Sequence, residues 1–238
     1  MTEKFTLGDM EVEVTFKDIK NVHLSVYPPE GKVKISAPAR MDLDTVRVFA
    51  IGKLAWIKNR QKKLREQERE TPRELLDRES HYVWGERYLL QVIERDTLPR
   101  VELTPGKMLL YVRSGTGVEK RREILDEWYR EQLKIAVPPL LAKWESLMGV
   151  KVKRFFVRRM KTRWGSCNPE TGGIRLNSEL AKKPPECLEY LVVHEMTHLL
   201  EPTHNDRFML LLERFIPRWK FYKEELNRLP VRHEEWGY

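Results

Sequence analysis

Cysteine is scarce in this sequence, and long apolar runs are absent from it. The 238 residues include two cysteines, Cys167 and Cys187, which do not form a metal-binding CxxC pair. No stretch approaches the ~20 apolar residues of a membrane-spanning helix, and residues 1–5 lack the apolar core of a secretory signal. This cysteine usage is typical of a reducing compartment. We therefore expect a cytoplasmic protein with no membrane partner.

The sequence shows no internal repeat and no low-complexity segment, but it is strongly charged. Charged residues make up 34% of the chain and apolar residues 41%, which is enough for a core. The formal net charge is +8, which favours nucleic acid, phosphorylated ligands or acidic substrates as partners. Charge alone does not establish nucleic-acid binding, because many basic proteins bind none.

Three of the six histidines fall within eleven residues. His194 and His198 are four residues apart, which on a helix places both imidazoles on one face, where they can bind one divalent ion. Glu195 beside them can act as a general base. Pro202 disfavours further helix, so the chain is expected to turn there and bring His204 back to the same ion. The alternative is a chance cluster on a solvated helix end.

The donor set indicates which metal the site would hold. Three protein ligands leave a fourth position open for water, as in catalytic zinc sites. Neutral imidazoles favour zinc over magnesium or calcium, which prefer shells of oxygen. We therefore predict a catalytic zinc ion bound by His194, His198 and His204.

The chain order predicts an α+β protein in two parts. Residues 1–115 form a β-rich N-terminal region with one helix, which Asp42 caps. Residues 116–230 form a helical, zincin-like catalytic domain with a small β-hairpin, and residues 231–238 form a C-terminal tail. A long helix is expected from Val118 to about Met148, kinked or split at a pair of prolines, Pro138 and Pro139.

A basic segment precedes the histidine helix. Seven of the fourteen residues from 151 to 164 are Lys or Arg, and aromatic residues lie between them. The segment fits a nucleic-acid surface, and it equally fits a strand with one buried face. A return strand at 174–177 completes the predicted hairpin.

These motifs together resemble the YgjP-like metallopeptidase family, a group of minimal zincins. The resemblance is dense over residues 150–216, and its motifs are 160–167, 174–177, 184–193 and the HExxH stretch with His204 and Phe208. It implies that His194, His198 and His204 are the metal ligands and that Glu195 is the base. By family position alone, Arg163, Trp164 and Asn177 are candidate substrate-binding residues. The alternative is structural: Trp164 and Gly165 would shape the hairpin turn.

Two other zincin patterns compete with this one. The spacing from His194 to His204 equals that of metzincins, but Glu201 stands where metzincins have a turn glycine, and no Met-turn motif is present. A gluzincin-type arrangement would use Glu213 as the third ligand. We favour His204 because Pro202 returns the chain toward the helix.

The predicted reaction is hydrolysis, in which zinc lowers the pKa of its bound water toward ~7 and Glu195 accepts the water proton. A polypeptide held along the hairpin edge is the favoured substrate. An alternative is a nucleoside triphosphate pyrophosphatase whose phosphates are clamped by basic residues of the predicted strand: Arg158, Arg159, Lys161 and Arg163. A further alternative is a DNA-associated module that processes other proteins.

Overall fold

The computed structural model describes residues 2–27, 31–66, 75, 77–160 and 163–228, and these residues divide into two compact units. The first unit lies within residues 2–66 and the second within residues 75–228. Helices and several small sheets mix in them, which confirms the predicted α+β class. No helix in these ranges is both long enough and apolar enough to cross a membrane.

The first unit packs two helices on a four-stranded sheet of order β1-β2-β4-β3. Its elements are β1 (Thr2–Leu7), β2 (Met10–Lys17), β3 (His23–Tyr27), β4 (Lys32–Pro38), α1 (Leu43–Gly52) and α2 (Leu54–Glu66). Alternating residues of the sheet are buried, as the sequence pattern predicts. Asp42 caps α1 by accepting a hydrogen bond from the Thr45 backbone amide at 2.7 Å.

The single helix expected in this region is two helices. Lys53 ends α1 and donates its amide to the carbonyls of Ala50 and Ile51. Gly52, just before it, has a weak helix propensity, so the chain breaks there at little cost. Val46, Ala50 and Ile57 are nevertheless buried, as expected for one apolar face.

The second unit begins with another four-stranded sheet and continues with the helices and strands that carry the histidines. Its elements are β5 (Ser80–Val83), β6 (Glu86–Glu94), β7 (Arg100–Thr104), β8 (Lys107–Val112), α3 (Val118–Met148), β9 (Arg154–Arg158), β10 (Gly165–Asn168), β11 (Gly173–Asn177), a 3₁₀ helix (Ser178–Lys182), α4 (Pro185–Thr197), α5 (Asp206–Phe215) and α6 (Trp219–Arg228).

The sheet of β5 to β8 belongs to the second unit, so the division does not fall at the expected residue 115. Leu90, Met108 and Leu110 of this sheet share one core with α3 and α4. This shared core draws the boundary back to the segment before β5. The predicted tail, residues 231–238, lies outside the described residues.

The two four-stranded sheets have the same topology, although the sequence shows no obvious repeat. The order β5-β6-β8-β7 matches β1-β2-β4-β3, and in each sheet the second and fourth strands pair in parallel. In both, a glycine with positive φ directly precedes the fourth strand: Gly31 (φ 81°) and Gly106 (φ 72°). Apolar alternation is what a half-buried strand requires, so the two segments share a pattern of burial rather than residue identities.

Helix α3 runs unbroken through its two prolines, so of the two expected outcomes, a kink or a split, the split does not occur. Pro138 and Pro139 lie on its exposed side, as do Lys134 and Ile135, whose carbonyls lose their helical partners. Water can satisfy those carbonyls. The buried side, which includes Val137, holds the helix together across the proline pair.

The predicted hairpin also differs in detail. Strands β10 and β11 form the antiparallel pair, while the basic strand β9 lies on the other side of β11 and runs parallel to it. The sheet order is therefore β10-β11-β9, with β10 and β9 at its edges.

Candidate metal centre

Helix α4 carries His194, ends at its C-cap His198, and is anchored in the core. Pro185 occupies its first turn, where a missing amide proton is tolerated, and Glu186 follows in the same turn. Leu188, Val192 and Met196 are at most 1% exposed. This packing fixes the helix, and with it the direction of the imidazoles that it carries.

The turn after α4 brings the third histidine back, as predicted. The chain leaves the helix after Thr197 and turns through hydrogen bonds from the amides of Leu199 and Leu200 to the helix end. Asn205 then caps α5 by accepting the Phe208 amide at 3.0 Å. This arrangement places His204 beside the first two histidines.

His194, His198 and His204 each offer one ligand atom within 4.8 Å of the others. The Nε2 atoms of His194 and His204 are 3.1 Å apart. Two nitrogens bound to one tetrahedral zinc ion at ~2.0–2.1 Å would be roughly 3.3 Å apart. The three imidazoles therefore fit a single ion of that size.

Neighbouring groups orient the imidazoles. His198 Nδ1 lies 3.2 Å from the Glu201 carbonyl oxygen, which can only accept, so Nδ1 carries the proton and Nε2 is left for a metal. The ring of Phe208 packs against all three imidazoles, with centroid distances of 5.1 Å to His194, 4.7 Å to His198 and 4.6 Å to His204. Phe208 is completely buried and forms an apolar wall for the site.

Burial and the charges of neighbouring groups lower the pKa of two of the histidines, His194 and His204, and so favour their neutral forms. Burial is the main cause that lowers the pKa of His194 to about 3, and the charges of His198 and His204 act in the same direction. The pKa of His204 is also lowered, by burial, then by His198 and Lys223. Neutral imidazole is the form that binds a metal ion.

The side chain of Glu195, a residue of α4, lies against Gly165, the first residue of β10. Its side chain is 4% exposed, and burial raises its pKa to about 8, while the nearby charge of Arg163 acts to lower it. A Cβ atom on Gly165 would come within 2.6 Å of Oε1 of this carboxyl group. The carboxyl group is thus enclosed by protein next to an edge strand, as a general base shielded from bulk water would be.

The rival third ligand, Glu213, is engaged elsewhere. Its Oε2 accepts a hydrogen bond from Trp219 Nε1 at 2.6 Å. Among the described residues, the group of clustered metal-binding side chains is His194, His198 and His204, without Glu213. The geometry therefore favours His204 over Glu213.

The three candidate substrate-binding residues lie in different environments. Asn177 is 5% exposed. Its side-chain amide donates to the carbonyls of Met160 (2.8 Å) and Arg163 (3.0 Å), and its Oδ1 accepts the amides of Met160 and Glu179, both at 3.3 Å. These bonds use the whole amide to hold the chain before β10, so Asn177 has no group left to contact a substrate.

Arg163 and Trp164 lie directly before β10. Arg163 is exposed, and its charge acts on Glu195. Trp164 is half-buried against the core, with Lys183 Nζ 5.7 Å from its ring. The Trp164 carbonyl oxygen accepts a hydrogen bond from the backbone amide of Asn177 at 2.8 Å. This bond fits a role for Trp164 in shaping the start of β10.

The sheet separates Arg158 of the basic segment from Glu195. Strand pairing places Gly165, Leu176 and Val157 in one row, on the face that meets Glu195. Because side chains alternate along a strand, Arg158 points to the opposite face. Arg159 lies 3.8 Å from Asp126. Of the four predicted phosphate clamps, these two are turned away or paired, and Lys161 lies outside the described residues.

Sequence reasoning missed the roles of two residues. Phe208 belongs to the motif that carries the family resemblance, four residues after His204, but the sequence alone suggests no role for it. Gly165 was interpreted only as a turn former. A glycine within a strand signals close approach by another group, but only the structure shows that Gly165 lies in a strand.

A histidine triad gathered at the C-terminal end of α4, beside a buried glutamate, defines this α+β protein as a candidate metallopeptidase. The family model described as "YgjP-like, metallopeptidase domain" matches residues 20–229, so the chain belongs to the YgjP-like metallopeptidase family. This confirms the resemblance inferred from the sequence. Curated proteins include no match to the chain.

One solved structure is similar to part of this chain. The crystal structure of the metallopeptidase zymogen abylysin from Pyrococcus abyssi is similar with a TM-score of 0.36 and 24% sequence identity. The similarity covers 40% of this chain and 99% of the other.

Proposed function

We propose that this protein is a zinc-dependent metallopeptidase that cleaves peptide bonds, with Glu195 as its general base. The observation that supports it most directly is that the ligand atoms of three imidazoles lie within 4.8 Å of one another, at the end of the helix that carries the enclosed Glu195 carboxyl group. Membership of a metallopeptidase family agrees with it.

Zinc suits the donor set, because all three side chains are imidazoles and two of them have a lowered pKa. His194, His198 and His204 would hold the ion. When bound, it would supply Lewis-acid chemistry, polarising the scissile carbonyl and making a water more acidic. The Glu201 carbonyl orients His198 for this task.

Glu195 would then move the protons. Its raised pKa, about 8, applies to the protein without a cation; a dication close by favours the carboxylate, so the group is ready to accept a proton. It takes a proton from the attacking water and delivers it to the leaving amine. Because the protein encloses the carboxyl group, few solvent waters compete for this proton.

Strand β10 is the proposed binding site for the substrate main chain. It lies at an edge of its sheet, paired with β11 on one side, and its first residue touches Glu195. An extended polypeptide can add to such an edge through backbone hydrogen bonds. The scissile bond would then lie beside both the histidines and the base. Arg163 and Trp164, at the entry to this strand, would line the cleft.

The nucleotide alternative has less support. It required several basic side chains near the metal, but Arg158 faces away from Glu195 and Arg159 lies beside Asp126. The DNA-associated alternative rests on the net charge and on the basic composition of residues 151–164. No contact among the described residues favours either one over peptide hydrolysis.

The test combines metal content and activity. We expect the purified protein to bind about one zinc per chain and to cleave unfolded casein. His194→Ala and His204→Ala should lose zinc, whereas the exposed His23→Ala should keep it, and Glu195→Gln should keep zinc but lose activity by about 10²–10⁴-fold.

Two results would contradict the proposal. If His204→Ala keeps its full zinc content and Glu213→Gln loses zinc, then Glu213, and not His204, is the third ligand. Phosphate release from nucleoside triphosphates that disappears in Glu195→Gln, without any casein cleavage, would replace the peptidase assignment with a phosphohydrolase.

A further inference from the structure

We infer that Gly165 is a positioning residue for Glu195, and that its missing side chain makes the space in which the catalytic carboxyl group lies. This inference rests on the proposed role of Glu195 as the general base. It assigns a function to a residue whose only expected role was to shape a turn.

The contact, and not the backbone conformation, is what demands glycine here. The φ angle of Gly165 lies outside the left-handed region, so an alanine could adopt the same backbone. A Cβ atom at this position would lie 2.6 Å from Glu195 Oε1 and 3.0 Å from both Cδ and Cγ. Distances this short do not occur between non-bonded atoms in well-packed protein interiors, so one of the two groups has to move.

The side chain of Glu195 would move rather than the strand. Strand pairing with Leu176 fixes Gly165. The preceding residue, Trp164, is fixed by the hydrogen bond from the Asn177 backbone amide to its carbonyl oxygen. An ordinary contact begins at 3.4 Å, so Oε1 would have to retreat by about 0.8 Å. Because Glu195 is 4% exposed, the retreat also disturbs the buried surroundings of its carboxyl group.

The displacement matters because of where it occurs. A misplacement of ~1 Å of a reacting group can cost on the order of 10²-fold in rate. The strand that presses on Glu195 is also the proposed site for the substrate main chain. Gly165 therefore sets the distance between the base and the peptide bond. The atoms nearest to a Cβ at this position belong to Glu195 and not to the three histidines, so we expect metal binding to be unaffected.

The experiment compares Gly165→Ala with Gly173→Ala. Gly173 lies in the same sheet, also without a positive φ, and the atoms nearest to a Cβ there would be side-chain atoms of Thr171 and Arg154, at 3.3 Å or more. With casein as the substrate, we expect Gly165→Ala to lose roughly 10–100-fold in kcat, with little change in KM and full zinc content. The kcat of Gly173→Ala should stay within about twofold of the wild-type value, because this substitution leaves Glu195 in place.

A second measurement does not depend on activity. Removing the Glu195 side chain should relieve the contact, so Gly165→Ala should lower Tm by at least about 2 °C in the wild-type background but not in Glu195→Ala. A crystal structure of zinc-loaded Gly165→Ala should show the carboxyl group displaced. An undisplaced carboxyl group, or the same Tm change in both backgrounds, would overturn the inference.

The outcomes also separate this inference from the proposed function. If Glu195→Gln keeps wild-type turnover, the general base is wrong whatever Gly165→Ala does. If Glu195→Gln is inactive while Gly165→Ala turns over casein like the wild type, the base stands and the positioning role of Gly165 is refuted.

Discussion

Replacing Phe208 with alanine should weaken both the fold and metal binding. The ring is completely buried and contacts all three histidine rings at centroid distances between 4.6 and 5.1 Å. Phe→Ala at a fully buried site costs about 3–5 kcal/mol. For a unit of this size, each kcal/mol lowers Tm by roughly 2–4 °C, so the zinc-free variant should unfold roughly 6–20 °C below the wild type.

The effect on zinc affinity should exceed what lost stability alone would give. Groups that orient metal ligands typically change metal affinity by 10–100-fold when they are replaced, and Phe208 is the apolar wall against which the imidazoles rest. We therefore expect zinc affinity to fall by about 10–100-fold. Competition against a chromophoric chelator, at a temperature where the variant is folded, measures this directly.

Leu212→Ala is the matched control. Leu212 lies one turn further along α5 and is 1% exposed, so its truncation should cost a comparable ~2–5 kcal/mol. Its zinc affinity should stay near that of the wild type. If Phe208→Ala and Leu212→Ala lose the same stability and also bind zinc with the same affinity, Phe208 has no specific role in orienting the imidazoles.

Two further predictions concern pH and the segment before β10. In the zinc-free protein the pKa of His194 falls from 6.5 to about 3 on folding, so its contribution to stability is complete above pH 6.5 and is lost as pH falls toward 3. Urea unfolding should show a loss of about 2 kcal/mol between pH 6.5 and 5 that is missing in His194→Gln; an equal loss in both would contradict it. Asn177→Ala removes four hydrogen bonds to backbone groups and should speed proteolysis next to Met160 and Arg163 while zinc content stays unchanged; unaltered proteolysis would contradict the holding role.

The sequence by itself determined the candidate metal centre. The i, i+4 spacing of His194 and His198 is a local property of a helix, and the Pro202 turn that returns His204 is nearly as local. Such features need no knowledge of distant contacts, because they depend on residues close in the chain. The α+β class followed in the same way from alternating and helical periodicities, and the motif around the histidines sufficed to recognise the family.

The tertiary structure decided how the rest of the chain serves this centre. The close approach of Gly165 to Glu195 joins residues 30 positions apart, and the bonds of Asn177 reach back to Met160. Strand pairing turned Arg158 away from the site, and a shared core drew the β5 to β8 sheet into the second unit. These outcomes depend on which surfaces meet when the elements pack. Local propensity and periodicity fix each element but not its partner, so only the folded chain shows which strand encloses the base.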